Sequence, residues 1–249
     1  MIVERRFKVL ALMLLTAVQG AAAQPAQPAR PAYTLTVTKD VTPYVSLTAE
    51  GAKLSEVAAD LGRRLNAEVI VGPSLKDETI SAKFAGTPVE PATLAIAPRV
   101  IIDYEVRQGA EPRPLGIYLL GYADPDPSVS AVVRGTSQGV VVSGNTEDTG
   151  KPPAADDPLR VIYDKRRLTV FAKQQLLIVV VMTIAETMGV PAEIKHETTE
   201  TVNANVKDTP LIEDAIAGLS PNVRVYVRSD LNRLDKTLLR LVVVPPAVK

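Results

Sequence analysis

The chain has 249 residues, with 28 basic and 28 acidic side chains, 4 % aromatics, and neither cysteine nor tryptophan. Balanced charge provides no basic face for nucleic acid, few aromatics argue against base- or sugar-stacking surfaces, and absence of cysteine excludes disulfides, thiolate chemistry and zinc–thiolate sites. The length suits two domains of roughly 100–150 residues each, held together on this reading by apolar packing alone.

The N-terminus has the layout of a secretory signal. Arg5, Arg6 and Lys8 form a positive head, residues 9–18 an apolar stretch, and Ala21, Ala22 and Ala23 a small-residue end. Cleavage is expected after Ala23, the apolar run being short for a membrane span; the alternative is retention as an inner-membrane anchor. Residues 24–32 then read as a Pro/Ala tether. Without the leader, 25 basic and 27 acidic side chains remain.

From Leu35 the apolar residues alternate (Leu35, Val37, then Val45, Leu47, Ala49), as in strands with one buried face. Leu54, Val57, Ala58, Leu61 and Leu65 recur at helical spacing, with Glu56, Asp60, Arg63 and Arg64 opposite. Residues 69–71 predict a short buried strand, stopped by Gly72-Pro73. Ile80, Ala82 and Phe84 predict another strand. Gly86 turns the chain, and Thr87, Pro88 and Glu90 read as cap, first helical position and capping-box partner of a short helix ending by Pro98. Strands at 102–106 and 115–122 close this part.

The same order then recurs. Leu159, Val161, Leu168 and Val170 open it, and Leu177, Val180, Val181, Ile184 and Met188 line a long helix ended by Gly189. The run 176–181 has strand propensity, yet its counterpart in the first copy makes it helix. Val202, Ala204 and Val206 form a strand, Thr209 and Pro210 start a second helix, and Val223, Val225, Val227 and residues 238–244 finish as strands. Leu61 to Ile184 and Pro98 to Pro221 are both separated by 123 positions, and Ile80 to Val202 by 122. A repeat held in register over this length implies one supersecondary unit used twice. The expected fold is therefore α+β: two tandem small domains, residues 33–123 and 159–249, each a mixed sheet with two helices in β-α-β-β-α-β order. Residues 124–158 form a linker in which 130–133 and 140–142 suggest a hairpin, added to the first domain's sheet.

The stretches V45-S-L-T-A-E-G-A-K-L-S-E-V-A-A-D-L-G-R-R-L-N-A-E-V-I-V71 and F84-A-G-T-P-V-E-P-A-T-L94 resemble the short N-terminal (STN) domain of secretins and TonB-dependent receptors. Residues 175–194 and 206–216 carry the same pattern more faintly. Pro91 departs from it by shortening the second helix. The resemblance implies an exported, periplasmic, non-enzymatic adaptor that binds a protein partner in the cell envelope, associated with a secretion, pilus or uptake system. Nothing in the sequence offers the many strands of a pore or receptor barrel. The alternatives are a self-assembling, homo-oligomeric structural subunit of an envelope complex, and a small-molecule carrier or enzyme using a cleft between the domains.

No catalytic, cofactor-binding or metal-binding residue is assigned. His196, the single histidine, sits in the polar loop 195–200 without an obvious partner. Asp124, Asp126, Glu147 and Asp148 lack the spacing of a calcium loop. The glycines at 135 and 139 are not followed by the Lys-Ser/Thr of a phosphate loop, and no G-x-S-x-G elbow occurs. Strand edges at 117–122 and 224–228 are considered as places for partner-strand addition, with an internal position the commoner outcome. Tyr104, Tyr118, Tyr122 and Tyr226 are the aromatics able to anchor an interface, though at strand spacing each is more often core.

Overall fold

Leu54, Val57, Ala58, Leu61 and Gly62 are buried on one helix, and Leu177, Val180, Val181, Ile184 and Ala185, each 123 positions later, are buried on another. The computed structural model describes residues 32–38, 40–128, 140–142 and 157–246. The signal, the tether up to residue 31 and the candidate strand 130–133 lie outside these residues.

The first half runs β1 (Tyr33–Val37), β2 (Tyr44–Lys53), α1 (Leu54–Leu65), β3 (Glu68–Val71), β4 (Thr79–Pro88), α2 (Val89–Leu94), β5 (Arg99–Arg107) and β6 (Arg113–Leu120), with a 3-10 turn at Pro73–Leu75. After β7 (Val140–Val142), the second half runs β8 (Leu159–Asp164), β9 (Arg167–Leu176), α3 (Leu177–Met188), β10 (Ala192–Ile194), β11 (Thr201–Thr209), α4 (Ile212–Ala217), β12 (Val223–Asp230) and β13 (Asp235–Val243). The fold is mixed α+β.

Equivalent elements are tied by equivalent backbone bonds. Neither long helix has a side-chain N-cap. Instead the first helical N–H of each, Leu54 or Leu177, donates to the carbonyl of Glu78 (2.9 Å) or Glu200 (2.8 Å), just before the next long strand. Each helix ends on a left-handed residue, Asn66 (φ 52°) or Gly189 (φ 66°). The following N–H, Ala67 or Val190, returns to Gly62 or Ala185. The apolar run 176–181 is helical from Leu177, because burial at i, i+3, i+4 and i+7 outweighs β propensity.

Three sheets result, ordered β1-β2-β4, β8-β9-β11 and β3-β6-β5-β12-β13-β10-β7. Here the expectation of one mixed sheet per copy is corrected. Each half builds a small antiparallel sheet and half of a larger mixed one, and antiparallel pairing of β5 with β12 fuses the latter. Tyr104 lies opposite Val227 in that pair, and these too are 123 positions apart (227 − 104). The two copies therefore meet about a local pseudo-two-fold axis. Residues from Ala32 onward form one compact unit. Each half has its own apolar core, drawn from the small sheet, both helices and one face of the central sheet, and Tyr104 packs against both cores.

Several local expectations are overturned. The T-P capping box does not form: Thr87 and Pro88 continue β4, past a left-handed Gly86 (φ 57°), and α2 has no side-chain cap. In the second half Thr209 ends β11 and its hydroxyl accepts from Leu211 N–H at 3.1 Å, so α4 starts only at Ile212. Strand β7 adds to β10 of the second half rather than to the first half's sheet. The strand 69–71, expected to be buried, is an edge strand whose Ile70 is 38 % exposed.

Candidate functional site

Both strand edges considered for partner addition are internal. Residues 117–120 belong to β6, between β3 and β5, and 224–228 to β12, between β5 and β13. A central strand has both rows of backbone groups paired and cannot accept another strand. Tyr118 is buried, Tyr104 spans both cores, and Tyr122 stands free at 83 % exposure. His196 is exposed in the loop between β10 and β11. Asp124 is buried and committed, accepting from Ser74 N–H (3.1 Å), Ser74 hydroxyl (2.7 Å) and Gly121 N–H (2.8 Å). Bonds from the Gly121 amide and then Ser74 hold its carboxyl below the usual carboxylate range. Among the described residues no group of three or more His, Cys, Asp or Glu is placed to hold a metal ion. Glu147, Asp148 and the glycines 135 and 139 lie outside them.

Apolar packing is not the whole of the fold. The face of the central sheet turned away from the two cores carries charge. On β5, residues 99, 103, 105 and 107 alternate with core residues 100, 102, 104 and 106, and β12 presents 224, 226, 228 and 230 on the same side. Arg228 donates twice to buried Asp103 (2.7 and 2.9 Å), which also accepts from Tyr118 hydroxyl at 3.1 Å. The Arg228 guanidinium lies 5.2 Å from the Tyr118 ring centroid. Arg99 reaches Asp126 and, at 3.3 Å, Asp230. Arg240 donates to Glu193 (2.8 Å) and stacks 4.3 Å from the Tyr226 ring centroid.

Glu105 is the most crowded member. Arg107 donates to it twice (3.0 and 2.9 Å), Arg113 once (2.7 Å), and Arg224 stands 3.6 Å away. Burial pushes the Glu105 carboxyl up, but Arg107 and Arg113 more than offset this and hold it below its ordinary value. Burial, then repulsion from Arg107, lowers the Arg224 guanidinium. Asp103 and Glu105 are thus each engaged by arginines of β5, β6 or β12. Sequence reading passed over them. The signal was the charged residues of both signs recurring at every second or fourth position, Arg99, Asp103, Glu105 and Arg107 on one strand and Arg224, Arg228 and Asp230 on the other, in strands otherwise largely apolar.

Several concavities mark the described surface. A cleft of about 930 Å³ lies among the β1–β2 turn, the end of α1, the β5–β6 hairpin and α4, with Val41, 84 % exposed, in its lining. A second cleft, within the second half and about 780 Å³, takes in the end of α3, the start of α4 and the β12–β13 turn, where Leu234 is 90 % exposed. A smaller space of about 300 Å³ sits where the halves meet, beside Tyr104 and Val227. There Tyr104 hydroxyl donates to Glu90 at 2.8 Å, and burial, then Glu90, raises the phenol's pKa. Beside β3, a groove of about 520 Å³ is lined by Ala58, Ala59, Gly62, Arg63, Glu68 and Arg113 among others.

No helix among the described residues is long and apolar enough to cross a membrane. No family model, curated protein or solved structure matches the chain.

Proposed function

We propose that the protein is an exported, non-enzymatic adaptor that binds a protein partner in the cell envelope, with residues 1–23 as a cleaved signal and 24–32 as a tether. On this reading it is built from two copies, residues 33–123 and 159–249, of a module resembling the STN domain of secretins and TonB-dependent receptors, and joined by 124–158. It works beside a secretion, pilus or uptake system in the periplasm. The observation that carries this reading is the element order. Strand, helix, strand, strand, short helix, strand runs through β2 to β5 and again through β9 to β12, on the residues that bear the resemblance.

Two features support a binding role over chemistry. The buried carboxylates Asp103 and Glu105 are engaged by arginines, and the exposed apolar side chains Val41 and Leu234 line surface clefts of about 930 and 780 Å³. A second reading, a self-assembling subunit, is favoured by one observation. Strands β4 and β11, ten and nine residues long, are outer strands of the small sheets and largely exposed.

The test is export and stoichiometry. The full chain, expressed in a bacterium with two membranes, should be released by osmotic shock with Gln24 as its first residue. Cross-linking in those cells should then join it to an envelope protein that re-forms a complex of defined stoichiometry from purified components. An unprocessed cytosolic chain contradicts the export reading; self-assembly alone, measured by light scattering, replaces the adaptor with the structural subunit.

A further inference from the structure

Strands β3 and β10 are equivalent edges of the central sheet, and only one of them is covered among the described residues. β10 pairs with β13 on one side and, antiparallel, with the Val140–Val142 strand on the other. β3 pairs with β6 and ends the sheet. The difference shows in exposure: Ala192 and Glu193 are buried, whereas Ile70, the counterpart of Glu193, is 38 % exposed.

We infer that the β3 edge is a strand-docking site that takes an extended, uncharged, β-branched segment of a partner protein. The inference rests on the adaptor reading and names its surface. The chain itself displays the mode of binding. Val142, Val141 and Val140 lie opposite Ala192, Glu193 and Ile194, and the offset of 123 converts these three into Val69, Ile70 and Val71. Gly72 N–H donates to Leu119 of β6 at 2.7 Å, so by alternation Val69 and Val71 turn their backbone groups to the open side. The equivalent Lys195 N–H likewise donates inward, to Val243 at 2.9 Å, leaving Ala192 and Ile194 to face β7.

Side chains beside the edge differ between the halves. Ala58, Ala59 and Gly62 stand where the second half has Val181, Met182 and Ala185, and they leave the groove of about 520 Å³ next to β3. A second copy is a poor occupant. Self-pairing of β3 would bring a second Arg63, 76 % exposed, into the same groove as the first. An uncharged segment brings no second arginine there, and its main chain supplies the affinity.

The test uses the full chain and, as probe, a synthetic peptide of residues 138–144, Q-G-V-V-V-S-G. By NMR, the Val69 and Val71 amides should shift saturably and gain exchange protection as peptide is added. Val71→Pro, which removes an outward donor on an edge strand, should weaken binding roughly tenfold. The wild-type titration decides alone if that variant does not fold. Shifts confined to Ala192 and Ile194, or none at all, overturn the site. Concentration-dependent protection of Val69 and Val71 without peptide assigns the edge to a second copy and overturns the partner segment. Failure of the peptide while an envelope partner is still recovered removes this surface and leaves the adaptor reading standing.

Discussion

Asp103 on β5 and Arg228 on β12 face each other across the seam between the two halves, joined by hydrogen bonds of 2.7 and 2.9 Å with the Asp103 side chain fully buried. One charge comes from each copy, so the pair exists only when the copies are joined.

Removing one partner strands a buried charge. Asp103→Ala should therefore destabilise the chain by about 3–5 kcal/mol, and replacing both residues by apolar ones of similar volume should recover most of that loss. Urea unfolding of the two singles and the double gives the coupling directly. Additive losses would show that the pair contributes little beyond its separate environments.

Heat or denaturant should unfold residues 32–249 in a single transition, because β5, β12 and Tyr104 belong to both halves' packing. A fragment ending at residue 128 exposes the β5 edge and leaves Asp103 without Arg228. It should be much less stable than the whole chain. Two resolved calorimetric transitions would contradict this and restore independent domains.

Gly62 lies inside α1, where alanine normally gains about 1 kcal/mol. Here a Cβ would sit 2.8 Å from the Ala67 carbonyl and 3.1 Å from Val69 Cγ2. The obstructing atom is backbone, fixed by the helix's own C-cap, so overpacking of roughly 1–3 kcal/mol outweighs the propensity gain. Gly62→Ala should lower the urea midpoint; a rise would mean that β3 gives way easily.

Three carboxyls, Glu105, Asp124 and Asp126, are held below their ordinary values of 4.5, 3.8 and 3.8. The unfolded chain takes up protons first, so their stabilisation is complete above those values and is lost as pH falls through the lower, folded ones. Unfolding midpoints should stay level with respect to these groups from neutrality to about pH 5 and drop below pH 4.5. Glu105→Gln should be the less stable chain near neutrality, with the gap to wild type closing in acid. A gap that stays constant across that range would remove Glu105 from the account of acid sensitivity.

The repeat and the helices were legible because their signal is periodic and local. Leu54 to Leu65 and Leu177 to Met188 are fixed by apolar spacing, and the second, ambiguous by propensity, was settled by its counterpart. The helix starts expected after Thr87 and Thr209 are not found, since the same residues can extend an edge strand; a bond across the sheet from Gly86 N–H to the Ser46 hydroxyl and a local one from Leu211 N–H to the Thr209 hydroxyl decide. The shared sheet was not legible at all. Nothing in the alternation of Val223, Val225 and Val227 distinguishes a strand that closes its own sheet from one that pairs with the other copy. Arg99, Asp103, Glu105 and Arg228 were passed over for the same reason, as alternating charge on a strand reads first as a solvated face.

The most direct measurement is of backbone contacts across β5 and β12 in the native chain. Leu231 N–H donates to Val100 at 3.1 Å, which by alternation makes Asp103–Arg228 and Glu105–Tyr226 the closely spaced, non-hydrogen-bonded pairs. Strong Hα–Hα nuclear Overhauser contacts are expected at both pairs, with slowly exchanging amides at Tyr104 and Val227. Their absence, with the sheet of each half closed on itself, would contradict the fusion of the two copies about that seam.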